Sequence, residues 1–354
     1  MNVLLVSDLH LTSSPRDEYR WKLFPWLEKQ IRVHEVDYLF ILGDLTESRD
    51  YHAAKLVNRV VDSLCGLPHE NEGLDHIFLL RGNHDGTDPA CPYFRFLGTL
   101  PFLTYIGAPI LRPIEKARIL FLPHSRNPET EWTTPEVQAW LAKADAIFMH
   151  QTVAGAQSEN GTTLEGISAN LLTAAKAKSI WSGDIHVPQR IGRVNYIGSP
   201  YPIRFGDSFK PRAVLLTDDL SKAQDLETPR FGRHRIVLDP GRLDVGVLSI
   251  VDELHNHSSP NDQVKVRVRL TRVQFVEWEK IKREVVEACV KAQVELCGIE
   301  VERIEEQPKI RRRGQGSAAP ALTPQQILEG WCQRQGVEKS LAEAGHKLLT
   351  EAIR

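Results

Sequence analysis

Val3-Leu4-Leu5-Val6-Ser7-Asp8-Leu9-His10 opens the chain with four apolar residues, followed after a serine by an aspartate and a histidine one residue apart. The same grammar returns along the chain. Leu39-Phe40-Ile41-Leu42 runs into Gly43-Asp44, and Phe78-Leu79-Leu80 into Gly82-Asn83-His84-Asp85. Further on, Ile147-Phe148-Met149 runs into His150, and Ile180-Trp181 into Gly183-Asp184-Ile185-His186. Apolar runs this short read as strands. Amphipathic helical stretches at Trp21–Val33 and His52–Leu64 separate the first of them. Strand alternating with helix predicts an α/β domain, with its polar groups in loops past the strand ends, where open sheets place their ligands. Further strands are expected at Arg118–Leu122, Val194–Ile197 and Ala213–Thr217.

What those polar groups could do together decides the functional reading. Alone, an Asp-x-His is more often a surface pair or helix cap than a metal site, and a single histidine after a strand is more often a satisfied core residue. That bland reading must hold at seven positions at once. Two divalent cations a few ångströms apart need hard carboxylate oxygens and imidazole nitrogens from several strand ends, with one carboxylate reaching both ions. Asp8 and His10, alternate residues of an extended segment, would point to one side and clamp the first ion. Asp44 is the expected bridge. Asn83, His150 and Asp184 are left for the second ion, while His186 faces the first. His52 and His124 lack a motif partner, so a structural or surface role is the favoured reading for them.

The series Asp-x-His, Gly-Asp, Gly-Asn-His-Asp and a lone His resembles the calcineurin-like metallophosphoesterases over about the first 200 residues. That resemblance implies a four-layer αββα sandwich and a dinuclear metal centre. Ile197-Gly198-Ser199-Pro200 after the last motif, a small following α/β unit and a tail opening at a proline narrow it to the SbcD-type double-strand-break nucleases. In those a capping domain lies over the site, and a helical tail binds the coiled coil of an SMC-like ATPase, SbcC in bacteria. By that resemblance the chain is a DNA exonuclease and endonuclease acting in repair or recombination, working as a homodimer with such an ATPase. His84 matches the catalytic histidine, and Asp85 is expected to orient its ring. A phosphatase or nucleotide phosphodiesterase, or a low-activity scaffold for DNA ends and the ATPase, are the competing readings. One position departs from the pattern. Where the family has Gly-His-x-His, this chain has Gly183-Asp184-Ile185-His186, and a carboxylate there hardens the site toward manganese, with magnesium as the alternative.

Beyond the motifs, the expected organisation is a catalytic domain over 1–220, a β-α-β capping domain over 228–306, a flexible basic linker over 307–322 and a helical tail over 323–354. The boundary rests on the polar, turn-forming stretch 219–235. In the capping unit, Val264–Leu270 alternates apolar residues with Lys265, Arg267 and Arg269, either the solvated side of an edge strand or a grip for DNA phosphates. A helix through Phe275, Trp278, Ile281, Val285 and Cys289 follows, ended by Gly298, with a strand at Ile299–Ile304. Arg311, Arg312 and Arg313 in the linker are a solubilising run or a tether for nucleic acid. Hydrophobic residues at 42% and charged residues at 25% exclude a fibrous or disordered class. No apolar run reaches the roughly 18 to 20 residues of a membrane span, and no secretory signal opens the chain, so a cytoplasmic setting is expected. Five irregularly spaced cysteines predict free thiols and neither a disulfide framework nor a thiolate zinc site.

Overall fold

In the computed structural model, residues 1–304 are described apart from 208, 230, 231, 240, 242, 244 and 245, together with 328, 329, 332, 337 and 339–352 of the tail. Side-chain alternation along the strands stacks the catalytic domain into layers. Leu4 and Val6, Leu39 and Ile41, and Ile77 and Leu79 face one way, into a core shared with Leu27 and Ile31 of the helix Leu23–Val33 and with Leu56 and Val60 of the helix Ala54–Glu70. Their neighbours Val3, Leu5, Phe40, Leu42, Phe78 and Leu80 face the other way and meet Ile119, Phe121, Ala146 and Phe148 of a second sheet. There the Phe40 ring lies 5.3 Å from Phe121 and 4.9 Å from Phe148. The outer face of that second sheet, through Leu120, Leu122, Ile147 and Met149, packs on Trp132, Val137 and Leu141. The result is the expected sandwich of helix, sheet, sheet and helix. Burial on both faces is why the strands read as continuous apolar runs.

The first sheet runs in the order Lys222–Glu227, Arg212–Thr217, Val3–Val6, Tyr38–Ile41, His76–Leu80, Leu103–Ile106. Its last four strands are mutually parallel, and Arg212–Thr217 is antiparallel to Val3–Val6. The second sheet runs Ile110–Ile114, Ala117–Leu122, Ala146–His150, Ser179–Gly183, Val194–Tyr196, Gln189–Ile191, with its four inner strands parallel. All five motifs therefore sit at or just past the carboxyl ends of parallel strands, two sheets contributing to one rim. Lys222–Glu227 falls inside the stretch read as a domain boundary. It is an edge strand with only Leu226 buried, so it carries almost no apolar signal.

After that strand the chain builds a three-stranded parallel sheet of Arg233–Leu238, Gln263–Leu270 and Glu295–Arg303, with Gln263–Leu270 in the middle. This corrects the sequence reading in three respects. The unit has an additional strand and an additional helix, Val247–His257, so it is β-α-β-α-β. The helix Trp278–Lys291 ends well before Gly298, which lies within the last strand, next to a register shift opposite Val264 and Lys265. And the alternating basic strand is not an edge. Its cations are matched across the sheet: Lys265 pairs with Glu300 at 2.6 Å, Arg267 with Glu300 at 2.9 Å, and Arg269 with Glu302 and Asp239 at 3.3 Å each. That row is a ladder of ion pairs, with little free positive charge to offer a phosphate.

By contacts the chain divides into two compact units, Met1–Glu305 and Glu306–Arg354. In the second, Lys339–Ala352 is helical. Arg311, Arg312 and Arg313 lie outside the described residues, as does the whole of 307–322. Among the described residues no helix is long and apolar enough to cross a membrane, and the five cysteines are unpaired.

Candidate metal centre

The loop after the first strand positions Asp8 and His10 by backbone hydrogen bonds to its neighbour: Asp8 N donates to Gly43 O at 3.1 Å and His10 N to Asp44 O at 2.9 Å. The segment is not extended, as the sequence reading had it. Asp8 and His10 take φ of 56° and 44°, Asp44 takes 53° and Asp184 takes 77°. Left-handed backbone at four non-glycine positions of one site is uncommon and costs energy, which the surrounding hydrogen bonds and packing must hold in place. Buried Arg20 donates to the carbonyl of His10 from beneath the loop. Gly43, at φ +90°, leaves no room for a Cβ, which would collide with the His150 ring and approach the Gly82 Cα to 2.9 Å. Gly183 is equally confined, between Ser7, Leu42 O and His150.

Five of the seven expected ligands fall in mutually close groups, with His84 among them, and Asp184 and Asn83 join through the contact of Asp184 with His150. Three overlapping triads, Asp8 with His10 and His186, His10 with Asp44 and His84, and Asp8 with Asp44 and His150, each bring their ligand atoms within 4.8 Å of one another. His10 Nε2 and His186 Nε2 face each other at 3.1 Å, a spacing that suits two nitrogens turned toward one cation at bond lengths of about 2.0–2.2 Å. Asp44 divides its oxygens, Oδ2 lying 3.6 Å from His10 Nε2 and Oδ1 3.4 Å from His150 Nε2. That is the disposition a bridging carboxylate needs. On the far side, His150 Nδ1 donates to Leu42 O at 2.6 Å, and its Nε2 stands 3.7 Å from Asp184 Oδ1. Asn83 Nδ2 donates to the same Asp184 oxygen at 3.3 Å, while Thr152 Oγ1 donates to the other.

Whether these residues fit a pair of cations can be tested on their unused atoms. Asp8 Oδ2, Asn83 Oδ1, His150 Nε2 and the Nδ1 atoms of His10 and His186 are buried with no hydrogen-bond partner. Orphaned buried polar atoms are costly and rare. Of the five on residues of the expected set, the two Nδ1 atoms lie against Glu47 and Glu159, and Asp8 Oδ2, Asn83 Oδ1 and His150 Nε2 are accounted for if they face a cation. The electrostatics agree. Burial raises the Asp8 carboxyl above its ordinary range. Burial would raise Asp44 too, but His150 and His10 beside it hold it well below that range. Burial would lower the imidazoles, yet Asp44 holds His150 well above the ordinary histidine value, and Glu159 and Asp8 hold His186 up to about 9. A cluster of buried carboxylates is drawing positive charge onto its neighbours, and divalent ions would supply it.

Asp85 has a different place from the one expected. Its carboxylate accepts from the backbone N–H groups of Gly82 at 2.7 Å, Asp44 at 2.9 Å and Leu45 at 3.0 Å. It ties the second and third motif loops together and does not touch the His84 ring. That ring is held by Glu47, whose carbonyl accepts from His84 Nδ1 at 2.8 Å. Glu47 belongs to none of the five motifs. Its carboxylate lies 3.3 Å from His10 Nδ1, and the imidazole pulls it down to about 2. Glu159 stands 2.7 Å from His186 Nδ1 and is likewise drawn down to about 2 by it. Glu47 could have been noticed three residues past Asp44. Glu159 sits in a loop with no motif and gave no signal. His124, read as structural or surface, closes one wall of the site with its ring 6.3 Å from His150, and burial pushes it down to about 4. His52 is a structural residue, hydrogen-bonded to Thr46 Oγ1 at 2.8 Å and packed 4.1 Å from the Tyr93 ring.

Fold and site together define a metallophosphoesterase. Residues 1–188 match the calcineurin-like phosphoesterase family, and the chain belongs to it. Membership points to phosphoester hydrolysis at a dinuclear divalent-metal centre. Solved structures similar to the chain include an archaeal phosphodiesterase (12% identity, 64% of this chain and 99% of that one, TM-score 0.36) and a dimetal phosphatase from Danio rerio (11%, 65% and 99%, 0.38). Vps29 from Chaetomium thermophilum is another (12%, 62% and 80%, 0.29). At such scores these likenesses carry no weight for substrate or partner. No curated protein matches the chain by sequence.

Proposed function

We propose that this chain is a metal-dependent DNA nuclease resembling the SbcD subunit, hydrolysing phosphodiesters at DNA ends. The observation that carries the hydrolytic part is the convergence of Asp8, His10, Asp44, Asn83, His150, Asp184 and His186 from the ends of five strands onto one cluster. Asp8, His10, His186 and Asp44 would hold the first ion, and Asp44, Asn83, His150 and Asp184 the second. When bound, two divalent ions would neutralise phosphate charge and make hydroxide available at neutral pH as the nucleophile toward phosphorus. The chain supplies the rest. His84 commits Nδ1–H to Glu47 O, so in its doubly protonated form the ring would give the Nε2 proton to the departing alkoxide and be left as the neutral Nδ1–H tautomer. Asp85 holds the His84 loop against the Asp44 loop.

Support for the nuclease reading within this family comes from the segment after the last motif. Ile197-Gly198-Ser199-Pro200 is built against the site: Ser199 N donates to His186 O at 2.9 Å, a Cβ on Gly198 would strike Pro188 and His186 O, and Tyr201 donates to Leu9 O. The α/β unit that follows is tied to the catalytic domain through Arg233, which donates to Asp17 Oδ1 at 2.6 Å and to Ile203 O at 2.9 Å. On this reading that unit is the capping domain. The segment from Thr323 binds a coiled-coil ATPase of the SbcC type, and two nuclease subunits work together, with manganese as the preferred metal. Incubating the protein with linear duplex DNA and manganese, beside p-nitrophenyl phosphate and its bis-ester, tests it. DNA and the bis-ester should be cleaved. Turnover of the monoester alone would replace the nuclease with a phosphatase, and full metal loading without turnover would replace it with a scaffold.

A further inference from the structure

The two halves of the site are backed differently. On the side of His10 and His186, each imidazole turns one nitrogen to the shared space and the other to a glutamate, Glu47 at 3.3 Å and Glu159 at 2.7 Å. Neither contact meets the geometry of a regular hydrogen bond, but both are close contacts between a ring and a carboxylate, with His10 and His186 nearly buried. On the other side, among the described residues, no carboxylate stands behind a ligand. His150 is backed by the neutral carbonyl of Leu42, and Asp184 by the hydroxyl of Thr152. Glu47 and Glu159 come from separate loops, so two independent segments converge on the same arrangement.

We propose that Glu47 and Glu159 are positioning residues that orient His10 and His186 and make the first metal position the tighter of the two. A carboxylate behind a ligating imidazole fixes its tautomer and ring orientation and raises its donor strength, and removing such a partner typically lowers metal affinity about 10- to 100-fold. Two such partners also add negative charge near one ion and not the other. On the assignment above both positions otherwise draw on a comparable set, sharing Asp44 and having one further carboxylate each, Asp8 and Asp184, although Asp8 also lies within reach of His150. The inequality therefore lies outside the ligands. It places the weaker, more readily exchanged ion on the side where Asp184 replaces the family histidine.

This inference rests on the two-metal reading of the site. The full chain, stripped of metal, is titrated with manganese by calorimetry, with free manganese counted by electron paramagnetic resonance. The wild type should bind two ions with distinct affinities. Glu47→Gln and Glu159→Gln should each weaken the tighter class about 10- to 100-fold and leave the weaker class unchanged, whereas Thr152→Val should move only the weaker class. Circular dichroism and the melting temperature of each metal-free variant establish that it is folded, and because Glu47 and Glu159 lie on different loops, either variant alone suffices. Two equal sites in the wild type, or a tight class untouched in a folded variant, would overturn the assignment of Glu47 and Glu159 and leave the two-metal reading standing. Absence of any manganese binding by the wild type would overturn the metal centre itself.

Discussion

His84 Nδ1 donates to the carbonyl of Glu47 at 2.8 Å, so the ring is fixed by backbone and not by the neighbouring Asp85. Its edge lies against His10, ring centroids 4.9 Å apart. His84 also forms a close group with His10 and Asp44, but on the assignment above it is a proton donor and not a ligand, so removing the ring should leave both ligand sets in place. His84→Ala should lower turnover of the bis-ester about 10²- to 10⁴-fold with manganese content unchanged by elemental analysis. Metal lost in parallel with activity would make His84 a ligand.

Asp85 is 1% exposed and satisfies three backbone donors. Asp85→Ala would leave those N–H groups buried and unpaired, a loss of about 2–4 kcal/mol. Urea denaturation of the metal-free protein should show it directly. A variant of wild-type stability that is merely slow would return Asp85 to a role in the chemistry.

Gly43→Ala forces a methyl group into the His150 ring at a backbone angle that only glycine adopts comfortably. The loop must move, and Asp44 with it. Loss of manganese binding together with a lowered melting temperature is expected, whereas Gly155→Ala, also at positive φ but with open space around it, should cost stability without touching metal affinity.

For the metal-free protein the pH dependence has a definite sign. The folded protein holds His186 at about 9, and His150 is raised as well. Groups raised in the folded state contribute stability that is complete below their unfolded value near 6.5 and is lost as pH rises through the folded value. The melting temperature without metal should thus fall between about pH 6.5 and pH 9. With saturating manganese the fall should vanish, because a ligating imidazole is already unprotonated and metal binding strengthens as pH rises. A metal-free melting temperature that climbs over this range would contradict the charged pairing of His186 with Glu159.

Substituting the departure from the family pattern tests the hardness of the site. Asp184→His removes a negative charge and the hydroxyl contact of Thr152. Relative affinity should shift from manganese toward zinc, read as a competition of the two ions for the apo protein.

Much of this was legible in the chain alone, because a parallel strand buried on both faces must be apolar along its whole length. Val3–Val6, Tyr38–Ile41 and Ala146–His150 announce themselves for that reason, and the ligands follow at their ends. Lys222–Glu227 does not, since one buried leucine on an edge strand leaves no period to read. Gly298 misled in the opposite direction, because a glycine can accommodate a strand irregularity as readily as it ends a helix. The seven ligand candidates were likewise visible as residue types in order.

Their backbone conformation and their supports were not. Sequence spacing implies an extended Asp8–His10 segment. The hydrogen bonds to Gly43 and Asp44 from across the sheet turn it into the left-handed region instead. Glu47, Glu159 and Thr152 act through contacts with residues 37, 27 and 32 positions away, and no local pattern encodes such contacts. The pairing of Lys265, Arg267 and Arg269 with Glu300, Glu302 and Asp239 likewise needed the strand order. The sequence by itself determined which elements form and which side chains can bind a cation, since burial and donor chemistry are properties of the residues. Only the tertiary structure decided which nitrogen faces which carboxylate, because that depends on chain segments far apart in sequence meeting at one rim.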